Sequence, residues 1–197
     1  RRGEEKFFKK IFKENLGFVC DEIPKGEFFE GAGDAQIVIM PDGKKVLIGA
    51  IVEHIDSAGV HSGDAMMCIP PWRLNNKIIE TITDYTTKIA KSFNIKGPFN
   101  LQFLIHSDQV YVIELNIRAS RSMPFVSKFV KTNLINLAAR AILGKPLPDI
   151  PPDKWKKIHK YGIKVPQFSF MQLTGADIVL GVEMQSTGEA ACFGNSF

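Results

Sequence analysis

Polar and apolar residues alternate through two short runs, residues 100–106 and 110–116, and this period-two pattern predicts two strands with one buried face. Leu101, Phe103 and Ile105 form the apolar set of the first run, and Tyr111, Ile113 and Leu115 that of the second. The two sets share a face only if opposed residue numbers add to an even value, which predicts a three-residue loop, Ser107–Gln109. That register sets Gln102 opposite Glu114 and Asn100 opposite Asn116, all on the other face. A carboxylate and side-chain amides then converge beside Arg118 and Arg121.

Other stretches carry similar signals. Phe7, Phe8, Ile11, Phe12 and Leu16 recur at helical spacing over residues 3–16, and Gly17 ends that helix. Short apolar runs at 18–20 and 28–29 follow, parted by Pro24, Lys25 and Gly26. Residues 36–40 and 45–55 predict strands joined through Pro41, Asp42 and Gly43. A helix with one buried stripe is expected over 74–93, from Leu74, Ile78, Ile82, Tyr85, Ile89 and Phe93. Asn133 is placed to cap a further helix through Leu134, Leu137, Ala138, Ala141 and Ile142, stopped by Gly144. Residues 145–152 hold four prolines and predict a linker; 164–170 and 178–194 predict strands with no catalytic grouping of their own.

Composition narrows the class. At 197 residues, 45% hydrophobic and 23% charged, the chain has the profile of a globular protein. A net charge of +4 suits an anionic ligand without indicating nucleic acid. The basic segment 154–160 reads as a solvated surface rather than a nucleic-acid patch. Cys20, Cys68 and Cys192 are odd in number and widely spaced, which favours a reducing compartment and a cytoplasmic location. No run approaches a membrane span, so no membrane partner is expected. The first residue is not methionine, which suggests a piece of a longer chain.

Candidate chemistry clusters in two places. Oxygen ligands on rigid strands suit a hard divalent cation, and arginines beyond them suit phosphoryl or carboxylate oxygens. The bland reading of the same residues is a solvated sheet face. Gly59, Val60, His61 and Ser62, followed by Gly63 and Asp64, form a loop whose glycines allow close approach of backbone to a ligand.

The run Glu114–Lys128, ELNIRASRSMPFVSK, resembles the metal-binding strand and following loop of the carbamoyl-phosphate synthetase large chain, an ATP-grasp enzyme. The likeness extends through EHIDSAGVHSGDA from Glu53 and through KVPQFSF and GADIVLGVEMQSTGEAACFG in the tail, and it is similar to the second, carbamate-phosphorylating half. The tail looks like that of the eukaryotic, glutamine-dependent, pyrimidine-making form. The resemblance implies an α+β fold, the C-terminal portion of an ATP-grasp domain, with an antiparallel sheet and packed helices. It divides the chain into a partial ATP-grasp domain, 1–145, and a linker and closing segment, 146–197, leading to an allosteric domain. It implies a ligase that phosphorylates carbamate with ATP, with Mg²⁺ or Mn²⁺ and with K⁺ as a further ion. Gln102, Glu114 and Asn116 become metal ligands, Arg118 and Arg121 with Asn116 catalytic groups, and Glu27, Phe29, Asp34, Gly59, Val60, His61 and Ser62 nucleotide contacts. His61 is then a phosphate or sugar neighbour. The implied partners are ATP and carbamate, a first synthetase half, a glutaminase and a second copy of the chain. Asp34, Gln36 and Val38 depart from the family pattern. Because the lobe with the glycine-rich flap lies upstream in the family, the isolated piece is expected to be inactive. Two other readings stand beside this one: a ligase of the biotin carboxylase type, and a non-catalytic scaffold or allosteric module.

Overall fold

A computed structural model describes residues 31–39, 46–56, 58–151, 154–169, 180–181 and 183–196, the first of these spans by backbone alone. The helix expected at 3–16, the turn at 41–43 and the positions Glu27 and Phe29 lie outside the described residues. Among the described residues, seven strands form one sheet: β1 (Gly31–Ile39), β2 (Val46–His54), β3 (Met67–Ile69), β4 (Pro98–His106), β5 (Gln109–Asn116), β6 (Tyr161–Gln167) and β7 (Gly188–Gly194). Their spatial order is β5-β4-β1-β2-β3-β6-β7, and each pairing is antiparallel. Residues on both sides of position 145 therefore belong to one sheet, because the short β3 carries β6 on its outer edge.

Three α-helices among the described residues accompany the sheet: α1 (Asn76–Ser92), α2 (Met123–Phe129) and α3 (Leu134–Ile142). The stripe Ile78, Ile79, Ile82, Ile89 and Ala90 of α1 is buried, and Leu74, Tyr85 and Phe93 pack against the core from its ends and edge. Asn75 caps α1 by accepting the Ile78 N–H, and Asn133 caps α3 by accepting the Asn136 N–H. Each cap satisfies an otherwise orphaned donor, at a value of about 1 kcal/mol. Helix α2 was not expected from the sequence; its seven residues start beside a proline and offer too short a stripe to read. It still buries Met123, Phe125, Val126 and Phe129. The segment 154–160 is less solvated than its lysines suggest, since a 3₁₀ turn over Lys154–Lys157 drives Trp155 into the core.

The central hairpin corrects one expectation and keeps another. Its loop has two residues, Ser107 and Asp108, at φ of 48° and 61°, the left-handed pair of a type I′ turn. A bulge restores the register: Gln102 faces Glu114, then Phe103 faces Val112, so that Ile113 has no opposite residue. Near the turn the core-facing residues of β5 are therefore Val110 and Val112, not Tyr111 and Ile113; Ile113 is 45% exposed. Beyond the bulge the expected pairs Gln102 with Glu114 and Asn100 with Asn116 are both present. No helix among the described residues is long and apolar enough to cross a membrane.

Candidate functional site

Strand register builds one wall of the site. Leu101, Phe103 and Ile105 enter the core, so the intervening Asn100 and Gln102 lie on the opposite face of β4, in line with Asn116 and Glu114 of β5. The rows continue in backbone register onto β1, where Asp34 pairs with Gln102 and Gln36 with Asn100. Glu114 is exposed, while Gln102 and Asn116 are half-buried. The Nδ2 of buried Asn100 leaves one donor on this face without a partner among the described residues. One carboxylate and two amide oxygens are donors that a hard divalent ion accepts while sharing the rest of its shell with phosphate oxygens. Among the described residues no three His, Cys, Asp or Glu gather into a cage, so an ion held here needs a ligand's oxygens as well.

The glycine loop after β2 is shaped by two different constraints. Gly59 has φ +105°, a conformation that residues with a Cβ adopt only under strain, and no heavy atom approaches its Cβ position. Gly63 is needed for space instead: a Cβ there would lie 2.6 Å from Met184 Sδ and 3.1 Å from His61 Nδ1. Positive φ thus occurs at the first of these two glycines alone. The Gly63 N–H donates to His61 Nδ1 at 3.0 Å, so a neutral ring here carries its proton on Nε2. The His61 N–H donates to the Gly181 carbonyl, and Asp64 and Ala65 both return N–H bonds to the His61 carbonyl.

The closing segment, expected to hold no catalytic grouping, instead braces this loop. Lys164 of β6 is fully buried (0% exposed), and its Nζ reaches the Ser62 and Gly63 carbonyls at 3.3 and 3.5 Å and Glu189 of β7 at 3.2 Å. Asp64, also buried, accepts the N–H groups of Gln185 and Ser186 at 2.7 and 2.9 Å. Ser186 Oγ donates to the Gly63 carbonyl at 3.2 Å and accepts from Arg121 Nη1 at 3.1 Å. Burial alone would raise the Asp64 carboxyl. The Ser186 hydroxyl, the Gln185 and Ser186 N–H groups and the neighbouring His61 outweigh it and hold the group below the ordinary carboxylate value. A lowered folded-state pKa stabilises at all pH above the unfolded value of 3.8 and is lost as pH falls through the folded one. Asp64→Asn is therefore expected to lower the urea midpoint at pH 7, with the gap to the parent protein closing below the ordinary carboxylate range. An equal gap at pH 7 and pH 3 contradicts this origin.

The expected site residues thus fall into two groups. Gln102, Glu114 and Asn116 share one sheet face; His61, Ser62 and Arg121 meet through Gly63, Ser186 and Met184. Arg118 is exposed, and among the described residues it donates to the adjacent Ala119 carbonyl, at 3.3 Å. The side chain of Asp34 lies outside the description. Asp64, Lys164, Ser186 and Glu189, which tie the glycine loop to the closing segment, were given no such role from the sequence. Only Asp64 carried a usable signal, a lone acid closing a glycine loop. Elsewhere Cys68 is buried in β3, and burial together with nearby Glu53 pushes its thiol up to about 11, so it is no nucleophile at neutral pH.

Comparison with known proteins extends these observations. Residues 8–150 match the family described as carbamoyl-phosphate synthase L chain, ATP binding domain. The multifunctional protein URA2 of Saccharomyces cerevisiae is 45% identical over 170 residues, 86% of this chain and 8% of that protein. The carbamoyl phosphate synthase large chain, C-terminal section, of Methanocaldococcus jannaschii is 46% identical over 174 residues, 83% of this chain and 28% of that one. The chain therefore spans a small part of the relatives it matches. Among solved structures, N5-carboxyaminoimidazole ribonucleotide synthetase from Thermus thermophilus aligns at a TM-score of 0.64 with 15% identity, over 89% of this chain and 48% of that one. The biotin carboxylase subunit of pyruvate carboxylase aligns at 0.59 with 18% identity, over 71% and 31%. At such identities the likeness speaks to fold, and the fold is the ATP-grasp one, present in part.

Proposed function

The chain belongs to the family of carbamoyl-phosphate synthase large-chain ATP-binding domains, and from that footing we propose that it forms one wall of a site that phosphorylates carbamate with ATP. In this step the bond from the γ-phosphorus to the β–γ bridging oxygen breaks and a bond to a carbamate oxygen forms, giving carbamoyl phosphate and ADP. The observation that carries the reading is the pairing of Gln102 with Glu114 and of Asn100 with Asn116 on the sheet face turned from the core. Gln102, Glu114 and Asn116 would hold Mg²⁺ or Mn²⁺, which would neutralise phosphate charge there. Carbamate is a weak nucleophile and short-lived in water, so the chain's task is to orient and to exclude solvent more than to move protons. Arg121, held on the closing segment, and the exposed Arg118 would balance the charge of the phosphoryl group and of carbamate. Gly59, Val60, His61 and Ser62 would lie along the nucleotide, with Glu27, Phe29 and Asp34 near its base and ribose.

The larger reaction belongs to the same proposal. Bicarbonate, glutamine-derived ammonia and two ATP would be joined by a protein that also carries a first synthetase half and a glutaminase, as a step of pyrimidine synthesis in the cytoplasm, with K⁺ as a further ion. Relatives named as multifunctional proteins support a fused arrangement. Calorimetry with Mg²⁺-ATP on a longer chain that includes the upstream lobe tests the binding part. Heat that depends on the divalent ion is expected. No heat would favour the non-catalytic scaffold, which the departures at Asp34, Gln36 and Val38 otherwise recommend.

A further inference from the structure

We propose that Ser186 is a positioning residue for Arg121, and that through it the closing segment sets where the guanidinium stands before substrate arrives. The proposal rests on the reading of Arg121 as the clamp of the phosphoryl-transfer site. An arginine on a loop between a strand and a helix has many rotamers, and holding it in advance removes an ordering cost from the reaction. Here Arg121 Nη1 lies 3.1 Å from Ser186 Oγ and 3.0 Å from Met184 Sδ, and both terminal nitrogens lie 3.5 Å from the Ser186 carbonyl. Ser186 is itself immobilised: it is 6% exposed, its N–H is held by Asp64 and its O–H donates to the Gly63 carbonyl. A hydroxyl has one proton and two lone pairs, so with its proton on the Gly63 carbonyl or on the Asp64 carboxylate a lone pair is left for Arg121. One side chain thereby couples the glycine loop, expected along the nucleotide, to the guanidinium, expected at the transferred group. Among the described residues Arg118 has no such anchor.

The test is a double-mutant cycle of Ser186→Ala with Arg121→Ala in the full-length protein, read by ATP formation from Mg²⁺-ADP and carbamoyl phosphate, the proposed step run backwards. Ser186→Ala alone should lower kcat roughly tenfold, the scale of one hydrogen bond to a charged group, with KM for ADP nearly unchanged. In the Arg121→Ala background the same change should alter the rate less than about twofold. Equal losses in both backgrounds, or no loss in the parent, overturn the proposal while leaving the clamp reading intact. An Arg121→Ala protein with undiminished kcat overturns the clamp reading first and this proposal with it. The Asp64 bonds to backbone survive in Ser186→Ala, and thermal unfolding checks that the segment stays docked. Should that variant fail to fold, Ser186→Cys keeps the shape with a slightly larger atom, weakens the acceptor and enters the same cycle with the same outcomes.

Discussion

Glu114→Ala in the full-length protein is expected to lower carbamoyl phosphate formation by about 10²–10³-fold, the loss typical when one preorganised electrostatic group leaves a transition state. Glu114 is the one carboxylate in the oxygen set on the outer face of β4 and β5, so its removal takes away the negative charge that would draw a divalent ion there. The fold should tolerate the change. The side chain is exposed and stands outside the hydrophobic core, and substitutions at such positions usually move stability within about 0.5 kcal/mol. Glu114→Gln separates charge from shape: it keeps an oxygen and should still lose most of the activity. Steady-state rates beside unfolding curves check both halves, and a Glu114→Ala protein with near-parental turnover would remove Glu114 from the site.

Lys164→Ala is expected to have the largest effect on stability, of about 3–5 kcal/mol, because it leaves partners of a buried ion pair uncompensated. Lys164 has no exposure, while the Glu189 side chain keeps 16%, so water relieves part of the cost on the acid alone. The Ser62 and Gly63 carbonyls also lose their shared donor, and with it the glycine loop loses its tie to β6. Lys164→Met together with Glu189→Gln, which removes both charges and retains much of the volume, should recover a substantial share of the loss. Denaturant unfolding of the two variants measures the difference. A Lys164→Ala protein as stable as the parent would mean the pair contributes nothing net.

How much of this could be read from the amino-acid sequence depends on the range of the interaction. The pairing of Gln102 with Glu114 was legible because Leu101, Phe103 and Ile105 recur at every second position, Leu104 notwithstanding, and register follows parity. The loop length was not legible, since a bulge at Ile113 shifts parity and neither residue of the tight turn is glycine or asparagine. Helix α1 showed its long stripe, whereas α2 is too short for periodicity to distinguish it from a loop. Lys164 misled by phase. In β6 the apolar Val165 lies exposed and the lysine inside, the reverse of ordinary patterning, because Glu189 and two loop carbonyls await it there. Those partners stand 25 and about a hundred residues away in the chain, beyond any local signal.

The proposed metal wall is tested most directly by titrating Mn²⁺ into the nucleotide-loaded full-length protein and counting tightly held ions by electron spin resonance of the free ion. Glu114→Ala and Gln102→Ala should each hold fewer tight ions than the parent, since both side chains would serve the same site from neighbouring strands. The same number of tight ions in both variants as in the parent would contradict a divalent ion shared between β4 and β5.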